Sequence, residues 1–134
     1  MIRDLEHNDV SKVCELGAGL HYNFSSIYDY NSLNSGVNKT YVLELNTIVI
    51  GFVHIQLIQD EVNIIDIVVD NKQRNKGYGK KMLEFLFNKY ESCRFFLEVS
   101  ENNEAKNFYK KYGFKQVGVR KAYYNGVDAL LMER

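Results

Sequence analysis

Apolar positions recur along this chain in two periods. Residues 2–5 read as a short strand, and Val10, Val13 and Leu16, with Leu20 beyond them, then fall at helical spacing. Asn8 or Asp9 can cap that helix, and Gly17 and Gly19 loosen its end. The period then shortens. Tyr41–Leu45 and Ile48–Ile58 are runs rich in β-branched residues separated by Asn46-Thr47, which predicts a hairpin, and Gln59-Asp60-Glu61 turns the chain into a third run, Val62–Val69. From Gly77 to Tyr90, Tyr78, Met82, Leu86 and Tyr90, flanked by Leu83, Phe85 and Phe87, make the wide apolar stripe of a helix lying on a sheet. Arg94–Val99 follows as a strand, and a second helix runs from Asn102 or Asn103 to Tyr112, with Gly113 at its C′ position. Phe114–Val117, Val119–Tyr124 and Val127–Met132 end the pattern, the last two flanking Asn125-Gly126, a type I′ turn signal. Between the first helix and the first hairpin, His21–Lys39 is rich in Asn, Ser, Tyr and Gly. It predicts a short helix around Ser26–Leu33 within a loop of the kind that carries substrate contacts.

This order sets the topology. Successive hairpins pair antiparallel, whereas a strand, crossover helix and next strand form a right-handed parallel unit, so Val62–Val69 and Arg94–Val99 are expected side by side or nearly so. The expected fold is α+β: a mixed, mostly antiparallel sheet with a central parallel strand pair and helices on both faces. With 134 residues, 46% of them hydrophobic, the chain is long enough to bury one core, and a single domain over residues 1–134 is expected.

Composition narrows the function classes. Lys and Arg total 17 and Asp and Glu total 17, so net charge is zero and a broad polyanion-binding surface is not expected. Cys14 and Cys93 stand far apart without a Cys-x-x-Cys motif, as buried free thiols of a reducing compartment would. His7, His21 and His54 lack metal-ligand spacing, and no metal site is expected. The N-terminus lacks the apolar core of a signal peptide and no run approaches bilayer length, so a cytoplasmic protein without membrane contact is expected.

The basic residues cluster in one place. Lys72-Gln73-Arg74-Asn75-Lys76-Gly77-Tyr78-Gly79-Lys80-Lys81 joins the Val62–Val69 strand to the following helix. Glycines let a backbone approach a ligand, and first-turn N–H groups have no partner inside the helix and sit at the positive end of its dipole. Acidic residues are the usual occupants of such a turn, yet this one carries Lys80 and Lys81. An anionic ligand resolves the conflict. The structural alternative is an ordinary glycine turn with solvated lysines. Neither a P-loop nor a three-glycine dinucleotide motif is present.

Ile67-Val68-Val69 before Arg74-x-x-Gly77-x-Gly79, and Asn102-x-x-Ala105-x-x-Phe108-Tyr109-x-x-x-Gly113-Phe114 after it, resemble the GNAT superfamily of acetyl-CoA-dependent N-acetyltransferases over essentially the whole chain. Asn23-Phe24-Ser25-Ser26, Leu97-Glu98-Val99, and Tyr123-Tyr124 with Asp128–Met132 resemble its ribosomal-protein alanine N-acetyltransferases, the RimI type. The resemblance implies that the backbone of Arg74, Asn75, Lys76, Gly77, Tyr78, Gly79 and Lys80 holds the coenzyme A pyrophosphate. It implies that the Ile67 and Val69 backbone pairs with the pantetheine arm as an added strand, and that Asn102 bonds the arm from the other side. A helix N-cap is the structural alternative for Asn102.

Acyl transfer needs a free amine, an acceptor for its proton, donors for the developing oxyanion and an acid for the leaving thiolate. The resemblance implies Glu98 as the base and Tyr109 as the acid. A Glu inside Phe95-Phe96-Leu97-Glu98-Val99 is costly to bury unless it is hydrogen-bonded or functional; its structural alternative is a solvent-facing position, and core packing is that of Tyr109. The Glu98-to-Tyr109 interval is one residue shorter than in RimI-type enzymes, which leaves Asp66, another carboxylate in an apolar strand, as a reserve base. Phe24, Ser25, Tyr123 and Tyr124 occupy the places where RimI-type enzymes grip a peptide end. The implied acceptor is a protein or peptide N-terminus, such as that of a ribosomal protein. The alternatives are a GNAT enzyme acting on a small amine or a lysine side chain, and a non-catalytic acetyl-CoA sensor. Monomer and dimer both remain open.

Overall fold

Four residues with positive φ make the two tight turns: Asn46 (51°) with Thr47 (67°), and Asn125 (48°) with Gly126 (88°). A type I′ turn needs a positive φ at both central positions, and these turns fold the flanking runs into hairpins with the twist that paired strands favour. The computed structural model describes residues 1–18 and 29–134. Among them, seven strands form one sheet in the order β1-β2-β3-β4-β5-β7-β6. The strands are β1 (Ile2–Asp4), β2 (Asn38–Leu45), β3 (Ile48–Ile58), β4 (Glu61–Val69), β5 (Arg94–Ser100), β6 (Lys115–Tyr124) and β7 (Val127–Glu133). The α-helices described are α1 (Val10–Gly17), α2 (Tyr30–Asn34), α3 (Tyr78–Lys89) and α4 (Ala105–Lys111). Neighbouring strands run antiparallel except β4 and β5, the parallel pair joined by the α3 crossover.

Side-chain alternation divides the interior between the two sheet faces. On one face Tyr41, Leu43, Val53, Ile64 and Leu97 pack with Met82, Leu83 and Leu86 of α3 and Tyr109 of α4. On the other, Val42, Phe52 and Val68 pack with Val13 and Cys14 of α1 and Leu33 of α2.

Two irregularities shape the middle of the sheet. In the β3–β4 ladder His54 pairs with Asp66 and Ile55 with Ile64, leaving Ile65 as an extra, bulged residue. The β4–β5 ladder ends at Ile64 and Leu97, just where that bulge bends β4. Beyond this point the two strands have no paired residues, and a cleft begins between them.

Local details differ from the sequence expectation for identifiable reasons. Neither Asn8 nor Asp9 caps α1 through its side chain; a 3-10 turn over His7–Asp9 precedes the helix. The Asp9 carboxylate instead accepts from Arg3 Nη1 at 2.7 Å and from the Glu6 N–H at 2.8 Å. The helix after β5 begins at Ala105 because Asn103 Oδ1 accepts the Ala105 N–H, 2.9 Å. β6 runs unbroken through Gly118, the irregularity being absorbed as a bulge at Val117. The short helix expected at Ser26–Leu33 is seen as α2 over Tyr30–Asn34, where Asp29 Oδ1 accepts from the Ser32 N–H at 2.9 Å. The beginning of that expected helix, and the candidates Phe24 and Ser25, lie outside the described residues.

Candidate active site

The cleft between the parted strands has a volume of about 900 Å³. Its first wall is the β4–α3 junction, including Ile67, Val69, Arg74, Asn75, Gly77 and Gly79. Asn75 (φ 62°) and Gly77 (φ 83°) are both left-handed, and Gly77 is the α3 N-cap. The first helical bond there runs from the Lys81 N–H to the Gly77 carbonyl, 3.1 Å, so the N–H groups of Tyr78, Gly79 and Lys80 precede the helical ladder. The first turn holds no acidic residue. A Cβ built on Gly77 meets nothing within 4 Å, so the space over this turn is open, whereas one on Gly79 would come 3.2 Å from Phe108 Cζ and press α3 away from α4. Together these make an open, positively polarised concavity suited to phosphate oxygens.

The opposite wall comes from β5, the end of the edge strand β6 at Tyr124 and the start of α4. Side-chain alternation puts Leu97 and Val99 in the α3/α4 cluster, so Glu98 between them projects to the α1/α2 face. There Glu98 Oε1 accepts from the Tyr124 hydroxyl at 3.4 Å, and Oε2 lies 3.2 Å from Arg120 Nε. A second irregularity lies between these two partners. Between Arg120, paired with Ala129, and Tyr124, paired with Val127, three β6 residues stand opposite Asp128 alone. Asp128 holds the excess chain by accepting the Ala122 N–H at 2.9 Å and Lys121 Nζ at 3.3 Å, and Ala122 takes a φ of 52°.

Tyr109 and Asp66 meet the cleft from different sides. Tyr109 is 8% exposed, edge-on to Phe108 and Phe114, and belongs to the α3/α4 cluster. Burial, and then the nearby Asp66 charge, push its phenol above its ordinary range, so it keeps its proton. Asp66 is two residues from Val68 and on the same side of β4, the α1/α2 face. Its Oδ2 is buried and has no hydrogen-bond partner among the described residues, and burial pushes the carboxyl up to about 6.

The cleft thus brings together Ile67, Val69, Arg74, Asn75, Gly77, Tyr78, Gly79 and Lys80 on one side with Glu98, Tyr109 and Tyr124 on the other. Lys76, Asn102 and Tyr123 do not line it. Lys76 Nζ reaches Gln73 Oε1 at 3.1 Å. Asn102 donates its backbone N–H to Ser100 Oγ at 3.4 Å while its neighbour Asn103 faces the cleft. Tyr123 stands edge-on to Tyr124, with the Arg120 guanidinium 5.3 Å from its ring centre. Arg120 was missed from sequence, because it reaches Glu98 from β6 across β7, a contact set by the order and register of three strands. The resemblance pointed to Asn102, which lies in the turn before α4 and does not line the cleft, whereas Asn103 does.

Residues 37–116 match the family model described as acetyltransferase (GNAT) domain. The chain is a GNAT acetyltransferase. It is 29% identical over 130 residues to the ribosomal protein bS18-alanine N-acetyltransferase of Haemophilus influenzae, the match covering 92% of this chain and 87% of that protein. The crystal structure of the ribosomal-protein-S18-alanine N-acetyltransferase from Escherichia coli has a TM-score of 0.85 at 25% identity, covering 99% of this chain and 91% of that one. An aminoglycoside 6′-N-acetyltransferase complexed with coenzyme A shares the fold, with a TM-score of 0.83 at 14% identity, over 100% of this chain and 96% of its own. GNAT enzymes draw the acetyl group from acetyl-CoA, and the open concavity at Gly77, with its three helix-end N–H groups and no first-turn acid, fits that cosubstrate's phosphates. Among the described residues of this GNAT enzyme no group of acidic, His and Cys side chains could hold a metal ion, and no helix is long and apolar enough to cross a membrane.

Proposed function

We propose that this acetyltransferase modifies the N-terminal α-amine of a cytoplasmic protein, with a ribosomal-protein N-terminus beginning in alanine as the acceptor class. The carrying observation is the Tyr124–Glu98–Arg120 cluster, an aromatic wall and an anchored carboxylate on the β5 side of the β4–β5 cleft, where the tip of the β6–β7 hairpin reaches it. An extended peptide end with a charged amine suits such a surface. Similarity over most of the chain to two enzymes named for alanine N-termini supports the same reading. An α-amine also titrates near ~7.7–8.0 against ~10.4 for lysine, so one carboxylate frees it at neutral pH with less tuning.

Bound acetyl-CoA supplies the thioester. The N–H groups from Arg74 to Lys80 hold its pyrophosphate, with Asn75 and Gly77 shaping the backbone and Lys76 as the outlying charge. The Ile67 and Val69 backbone lies along its arm. Arg74 Nε donates to the Val69 carbonyl at 3.2 Å. Asn103 takes the position first expected of Asn102. Tyr109, which holds its proton, gives it to the departing sulfur as the C–S bond breaks and the C–N bond forms; the acylated nitrogen's surplus proton then restores the phenol. Two carboxylates reach the acceptor side of the cleft, Glu98 and Asp66.

The deciding experiment is acetyl-CoA turnover on matched peptides. A peptide with a free N-terminal alanine is expected to show a higher kcat/KM than the same peptide with a blocked N-terminus and an internal lysine. Comparable rates on the lysine peptide, or preference for a polyamine, would sink the α-amine reading and leave N-acetyl transfer standing.

A further inference from the structure

Asp66 and Glu98 are both carboxylates on the α1/α2 face, one on each of the two strands that part at Ile64 and Leu97, yet their surroundings differ in kind. Glu98 has both oxygens occupied, by Arg120 Nε at 3.2 Å and the Tyr124 hydroxyl at 3.4 Å. These two contacts fix the Glu98 carboxylate in place. Among the described residues Asp66 has no such counter-ion. Its Oδ2 is enclosed in the cleft wall with no hydrogen-bond partner among the described residues, an arrangement that costs stability unless something docks there. The Ile65 bulge puts Asp66 where β4 turns away from β5, and the Tyr109 phenol is close enough to be shifted by its charge.

We infer that Asp66 is the group that takes the proton from the incoming amine, while Glu98 is the fixed anion that draws that amine in and orients it. The inference rests on the N-acetyltransferase reading. In the step, one N–H proton of the acceptor ammonium passes to Asp66 Oδ2 and the bonding pair stays on nitrogen, which becomes the nucleophile. Asp66 later gives that proton to solvent. With the exchange at Tyr109 this leaves one amide, one thiol and one released proton.

The groups around Asp66 are compatible with this task. His54 stands opposite it on β3, and burial lowers its ring to about 4, so it is neutral at working pH and supplies no counter-charge. Tyr109 of α4 is protonated, and Cys14 of α1, in the apolar cluster around Val68, is raised by burial and is also neutral. Glu98 on β5 is the facing anion, its charge shared with Arg120 and Tyr124 of β6. A carboxyl pushed to about 6 is matched to accepting a proton near neutrality.

The test compares wild type, Asp66→Asn, Asp66→Glu and Glu98→Gln on the alanine peptide from pH 5.5 to 9.5, with acetyl-CoA thermal shift as the check on fold and donor site. Wild-type kcat/KM is expected to rise through about pH 6 and level off. Asp66→Asn is expected to lose roughly 10²-fold near pH 6.5, its rate then climbing tenfold per pH unit toward the amine's own ~7.7–8.0 and closing on wild type at high pH. Asp66→Glu recovers part of the rate. Glu98→Gln raises peptide KM and keeps the limb near pH 6. A ¹³C titration of Asp carboxyls in the ligand-free protein shows one group near pH 6 that is missing from Asp66→Asn. The inference is overturned if folded Asp66→Asn keeps the wild-type profile within threefold, if the limb disappears in Glu98→Gln instead, or if no carboxyl titrates near 6. Absence of turnover by wild type on any amine is a separate result, which removes the enzyme reading itself.

Discussion

The Tyr124 hydroxyl donates to Glu98 Oε1 at 3.4 Å, tying the tip of the β6–β7 hairpin to the strand that lines the cleft. The tie holds the aromatic ring at the cleft beside Glu98. Tyr124→Ala is expected to act mainly on peptide KM, because it removes a wall and not a reacting group. Tyr124→Phe keeps the wall and loses one hydrogen bond, about 1 kcal/mol or roughly fivefold in KM. Steady-state kinetics on the alanine peptide measures both; a fall in kcat at unchanged KM would contradict the assignment.

The Gly77 cradle gives a prediction that needs no acceptor. Acetyl-CoA at a hundredfold excess over its dissociation constant stabilises a folded protein by about 2.7 kcal/mol. Gly77→Val should abolish that gain, because a β-branched residue resists the left-handed φ of 83° and fills the open space above the turn. Gly79→Val should do the same by pressing on Phe108. Thermal unfolding with acetyl-CoA, and with ATP as the comparison, reads the effect.

For Tyr109 the direction of its shift decides the outcome. A phenol raised by burial stays protonated through the assay range, so it serves as a donor at every working pH. Tyr109→Phe should lower kcat by about 10²-fold, flat across pH 6–9, with acetyl-CoA binding preserved. A tenfold loss of acetyl-CoA affinity with kcat unchanged would make it a packing residue.

Two aspartates should respond to pH with opposite signs. The folded Asp66 carboxyl lies above its unfolded value, so the folded state binds the extra proton between ~3.9 and about 6 and stability falls as pH rises through that window. Asp66→Asn should therefore gain stability relative to wild type at pH 7 and little at pH 4. Asp9 is lowered, first by its hydrogen bond from Arg3, so its contribution is present above the unfolded value and is lost as pH falls below ~3.9. Asp9→Asn should destabilise at pH 7, and the difference should narrow toward pH 3. Denaturation midpoints at three pH values check both.

What could be read from the chain follows the range of each interaction. The Asn46-Thr47 and Asn125-Gly126 turns, the α3 stripe and the parallel β4–β5 pair depend on local periodicity and turn chemistry, and the structure shows all of them. The comparisons bear out the family and its cosubstrate. Positions depending on one residue more or less were not legible. The start of α4 decides whether Asn102 or Asn103 faces the cleft, and the order and register of β5, β7 and β6 decide that Arg120 reaches Glu98. Asp66 was visible as an odd carboxylate in an apolar strand, but that its Oδ2 has no hydrogen-bond partner among the described residues is a property of the assembled sheet.

The bulge at Ile65 has a consequence for which mutations the enzyme tolerates. The opening between β4 and β5 is set by the number of residues in β4 and only weakly by their kind, since the Ile65 side chain is 40% exposed and packs in neither apolar cluster. Substituting Ile65 leaves that count unchanged. Deleting it removes the bulge: Asp66 then follows Ile64 in regular alternation, still opposite His54, and β4 loses the bend at which it parts from β5. A substitution at Ile65 changes one side chain of the cleft wall, whereas a single-codon deletion removes the bulge that opens the cleft, a distinction that tolerance measured only by amino-acid exchange would not reveal.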